Sequence, residues 1–110
     1  MSSLTKKLNA LMLCYTGGSS SYFVEKMKEE AEKRNLDFLI ESHTVSPFPA
    51  DFSKYDVILV APQVKHCMRQ VQGIVEKYNI PVVPIDFTTF GLCEVGKVLD
   101  QTLGLFEKKG

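Results

Sequence analysis

The feature that most limits the fold of this 110-residue chain is an alternation of two periodicities. Short apolar runs take turns with longer segments whose apolar residues recur every three or four positions. Residues 8–14 (LNALMLC) form a short apolar run that reads as a strand. Residues 56–61 (DVILVA) are a continuous β-branched run, the pattern of a strand buried on both faces. Residues 80–85 (IPVVPI) read as another strand, and their prolines suit an edge or a strand end. Phe38, Ile40 and Ser42 alternate with Leu39 and Glu41, as in a strand with one more exposed side. Helical spacing fills the gaps. Val24, Met27 and Ala31 share one face of a helix over 19–35. Val64, Cys67, Met68, Val71, Ile74, Val75 and Tyr78 mark a second helix. Leu92, Val95, Val98, Leu99, Leu103 and Phe106 form the apolar stripe of a closing one. Only 46–56 is turn-rich, with Pro47 and Pro49, and a short helical turn could follow Pro49.

Strands that alternate with helices imply an α/β fold, with a parallel sheet and helices on both faces. Right-handed crossovers limit the topology, and a four-stranded sheet in order 2-1-3-4 is the expectation. The whole chain, 1–110, has the length of a single domain. In such sheets ligands bind outside the carboxyl ends of the strands, where the winding reverses. The first strand sits at that point, and its end is Cys14.

Charge and cysteine usage exclude several function classes. Lys plus Arg equals Asp plus Glu, at 13 each, which argues against a nucleic-acid binder or a polybasic membrane anchor. No apolar run approaches the roughly 20 residues of a spanning helix, so no direct membrane insertion is expected. The opening MSSLTKKLNALMLC imitates a signal peptide, but its apolar stretch is short and Asn9 interrupts it, so a buried strand is the better reading. The three cysteines, Cys14, Cys67 and Cys93, are odd in number and far apart. They suit free thiols in a reducing cytoplasm, without a disulfide framework, a metal site or a cofactor.

The stretch that carries chemistry runs Cys14-Tyr15-Thr16-Gly17-Gly18-Ser19-Ser20-Ser21. A strand leads in and an amphipathic helix leads out. Gly17 and Gly18 permit backbone conformations that other residues resist, and Ser19 or Ser20 can cap the helix. Inward-turned N–H groups and the positive helix end would cradle a phosphoryl dianion. A helix N-terminus also favours the thiolate, the nucleophilic form of cysteine. Taken alone, such a stretch is often only a capped turn.

These residues resemble the IIB components of the bacterial sugar phosphotransferase system, of the lactose/cellobiose (chitobiose) type. The resemblance also covers YDVILVAPQVKHCMRQV and IPVVPIDFTTFG. It implies that Cys14 is phosphorylated and that the loop from Tyr15 to Ser21 binds the phosphoryl group. It further implies a cytoplasmic carrier, which receives phosphoryl from a histidine of a IIA protein and passes it to a sugar held by a membrane IIC permease. Tyr15 and Thr16 are larger than the residues usual after the family's cysteine, and Gly18 stands where methionine is common.

Gln63, Lys65 and His66 follow the third strand, and could rim the same site or be ordinary first-turn residues. Cys67 and Cys93 read as structural, Thr88 and Thr89 as turn or cap residues, and His43 as solvated surface. One alternative is a low-molecular-weight cysteine phosphatase or arsenate reductase, whose loop needs an arginine where this chain has Ser20. Asp86 could serve such an enzyme as acid by position only. Another is a non-catalytic regulatory module on the same fold. The default quaternary state is a monomer that docks transiently.

Overall fold

The computed structural model describes residues 8–14, 18–44 and 52–109, with side chains described except at 18–20 and 106–109. Its elements run β1 (Leu8–Cys14), α1 (Gly18–Lys33), β2 (Phe38–Thr44), β3 (Val57–Val60), α2 (Met68–Val75), β4 (Val82–Pro84), α3 (Phe87–Gly91) and α4 (Val95–Lys109). The four strands form one sheet in the order β2-β1-β3-β4. All three pairings are parallel. The expected topology is therefore the observed one.

Burial follows position in the sheet. Both central strands are covered on both faces: every residue of β3 is buried, and in β1 only Asn9 is not. The edge strand β2 alternates at first, with Phe38 and Ile40 inside and Leu39 and Glu41 outside. Phe38 and Ile40 pair with Leu8 and Ala10, so all four face the same side. That is the side α1 covers with Phe23, Val24, Met27 and Ala31. α4 packs beside α1, and Arg34 joins the two helices. Its guanidinium donates to Glu30 at 3.0 Å, to Asp100 at 2.6 Å and to the Gly96 carbonyl at 3.4 Å. Right-handed crossovers in opposite directions from β1 and β3 put α2 on the other face.

Local chemistry sets the ends. α1 stops because Asn35 adopts a left-handed conformation (φ 57°), which lets the Leu36 N–H return to the Ala31 carbonyl at 2.9 Å. Asn79 ends the second helical segment in the same way. That segment is less regular than its apolar spacing suggests. It opens as a 3₁₀ turn over Pro62–Cys67, with Val64 at φ −117°, and becomes α-helical only at Met68. The closing stripe is also divided. Leu92 and Cys93 lie in a turn between α3 and α4, where Cys93 has φ 54°. Thr88 and Thr89 thus sit inside a short helix rather than in a turn.

Candidate functional site

Cys14 is the last residue of β1, flanked by β2 through its pairing with Thr44 and by β3 through the bond from Ala61 N–H to the Leu13 carbonyl at 3.0 Å. It is 3% exposed. Its thiol donates a hydrogen bond to the His43 carbonyl at 3.4 Å. Four residues later α1 begins at Gly18, with no acidic residue in its first turn to offset the positive end of the helix. Tyr15, Thr16 and Gly17 lie outside the described residues, as do the side chains of Ser19 and Ser20. Ser21 is exposed. The winding reverses between β1 and β3, so the sulfur stands at the crevice where α/β sheets hold ligands.

Gln63, Lys65 and His66 are exposed on the 3₁₀ turn that follows β3, while Val64 between them is buried. Lys65 lines a cavity with Met68 and Asp86, beside β4. His43 is exposed, as expected, but its carbonyl is what the Cys14 thiol contacts. A side-chain reading of the sequence could not find that contact. Cys67 is buried with Val64, Val71 and Val75, in agreement with a core role.

Two further features lie on and around α1 and α3. The first is an exposed apolar surface. Tyr22 is 61% exposed, Phe87 65% and Leu92 66%. The rings of Phe23 and Phe90 stack with centroids 5.0 Å apart, which ties α1 to α3. The Lys26 ammonium lies 5.4 Å from the Tyr22 ring centre. Its hydrogen bond and attraction to Glu29 raise its pKa above the ordinary value. The second is the start of α3. Asp86 holds the N-cap position without a side-chain cap hydrogen bond, and the neighbouring Thr89 hydroxyl and N–H, three residues on, draw its carboxyl below the usual range. An aspartate just before FTTFG is a helix-start signal that the sequence did contain. Cys93, beyond α3, has its thiol pushed up by burial, against the opposing field of Lys26.

The model of a protein family described as "PTS system, Lactose/Cellobiose specific IIB subunit" matches residues 9–101. The chain belongs to this family. A relative from Bacillus subtilis (strain 168), the PTS system oligo-beta-mannoside-specific EIIB component, is 32% identical over 95 residues, covering 86% of this chain and 92% of the relative. Two solved structures share the fold. The lactose-specific IIB domain from Streptococcus pneumoniae has a TM-score of 0.80 at 25% identity, over 90% of this chain and 97% of that one. The cellobiose-specific IIB component from Borrelia burgdorferi has a TM-score of 0.77 at 25% identity, over 96% and 97%. The chain is thus a sugar-specific IIB component of a phosphotransferase system. No helix among its described residues is long and apolar enough to cross a membrane.

Proposed function

We propose that this IIB component carries a phosphoryl group on Cys14, taken from a phosphohistidine of a IIA protein and delivered to a sugar held by a IIC permease at the cytoplasmic membrane face. The observation that carries the proposal is the place of Cys14, at the strand end beside the reversal of winding and directly before α1. On entry an S–P bond forms as the N–P bond of the donor breaks. The bonding pair returns to the imidazole, which also takes the thiol proton, so the hydrogen bond to the His43 carbonyl is released. Backbone N–H groups over 15–21 and the start of α1 would stabilise charge on the phosphoryl oxygens. On exit the phosphoryl group passes to a sugar hydroxyl and the sulfur regains a proton. The exposed apolar side chains Tyr22, Phe87 and Leu92 offer partner proteins apolar contacts that docking would desolvate. Lactose, cellobiose and oligo-β-mannoside in the relatives' names point to a β-linked sugar as the acceptor class.

The test is intact-mass analysis after incubation with a phosphorylated IIA protein. The native chain, Cys67→Ala and Cys93→Ala should each gain the mass of one phosphoryl group, and Cys14→Ala should gain none. Phosphoryl uptake by Cys14→Ala would refute the assignment.

A further inference from the structure

On the far side of β3 from Cys14, a cavity of about 630 Å³ opens at the C-terminal end of β4. Its size falls within the range of small-molecule sites. Pro84 of β4 and four further apolar side chains wall it. Val60 ends β3, Ile85 follows β4, Met68 begins α2 and Val98 belongs to α4. Val60, Ile85 and Val98 are buried, and Met68 can repack around a guest.

The charged groups at this cavity are unevenly arranged. Lys65, on the 3₁₀ turn after β3, and Lys97, in α4, both line it, and Asp86 is the acid among its described lining. Lys97 lies within the field of Asp86 and 3.8 Å from Glu94, in a largely exposed pair. Lys65 makes no ion pair among the described residues. With Lys97 countered by Glu94 and Asp86, a guest with an acidic head would complete the charge at Lys65, which has no counter-ion among the described residues. A body without polar atoms suits the walls, since a polar one would lose water there without replacement partners. Gln101 and Thr89 add neutral hydrogen-bonding groups at the margin.

We propose that this cavity binds a small organic anion with an apolar body, its acidic head between Lys65 and Lys97 and its body against Val60, Met68, Ile85 and Val98. The site is separate from Cys14, and its occupancy does not depend on phosphoryl transfer.

The test is a heteronuclear NMR titration of the full chain with three probes: phenylacetate, the neutral phenethyl alcohol, and acetate. Phenylacetate should give saturable shifts at the amides of Lys65, Met68, Ile85, Thr89 and Val98. The alcohol lacks the charge and acetate lacks the body, so each should bind about tenfold more weakly or worse. Lys65→Met with Lys97→Met, both at exposed positions, should keep the native spectrum and weaken phenylacetate by about tenfold or more. No saturation below about 10 mM, shifts centred elsewhere, equal binding of the alcohol, or undiminished binding by the double variant would each overturn the proposal.

Discussion

Phe23 holds the beginning of α1, and so the entrance to the Cys14 site, against α3. It is 1% exposed, and its ring stacks on Phe90 at 5.0 Å with an interplanar angle of 18°. Phe23→Ala removes the transfer energy of the ring and leaves a cavity, a change that costs about 3–5 kcal/mol. A domain of this size has only about 5–15 kcal/mol of stability in total. With roughly 4 °C of melting temperature per kcal/mol, the variant should melt about 12–20 °C lower. Phe23→Leu keeps most of the apolar volume and loses the ring pair. A double-mutant cycle with Phe90→Leu isolates that pair, expected at about 0.5–1.5 kcal/mol. Urea unfolding followed by far-UV circular dichroism measures the native chain and all four variants. A Phe23→Ala cost below about 2 kcal/mol would refute the reasoning, because the site would then be able to collapse. So would Leu variants that add within about 0.3 kcal/mol.

Arg34→Met should cost about 1 kcal/mol in urea unfolding, because its ion pairs are partly exposed, and the difference from the native chain should shrink in high salt. An equal midpoint at low salt would show that the α1–α4 clamp is idle. Asp86 is ionised more easily in the folded state, so its contribution to stability is present above the unfolded carboxyl value near 3.9 and is lost as pH falls through the lower folded value. NMR titration of its carboxyl should show that low midpoint in the native chain and a rise toward 3.9 in Thr89→Val; a Thr89→Val midpoint equal to the native one would contradict the assigned cause. Cys93, raised by burial, should alkylate with iodoacetamide only above the ordinary thiol range, and Lys26→Met should slow it further at any given pH. Faster alkylation in Lys26→Met would contradict the assigned field.

The sheet was legible because strand burial writes itself into local pattern. Residues 57–60 are apolar throughout because β3 has a neighbour on both sides and helices on both faces. The residues from Phe38 alternate because β2 is an edge. Right-handed crossover then leaves little choice of strand order. The place of Cys14 was legible for the same reason, since a strand end followed by a Gly/Ser helix entry needs no distant information to recognise. The division of the closing stripe at Cys93 was not legible, because a left-handed cysteine has no local signature and is held by the bond from the Glu94 N–H to the Thr89 carbonyl. Neither was the 3₁₀ opening of the second helical segment, whose apolar spacing satisfies both geometries closely enough.

By itself, the sequence determined the four strands, their order in the sheet, the first helix and the cysteine that ends the first strand. Tertiary structure alone decided which chemistry meets which. The His43 carbonyl meets the Cys14 thiol only because β1 and β2 pair in register. Lys65 and Lys97, far apart in the chain, line one cavity only because the turn after β3 and the start of α4 come together beside the short strand β4. Periodicity is a property of neighbours along the chain, but contacts between segments depend on register, crossing and side-chain direction, which no single segment carries.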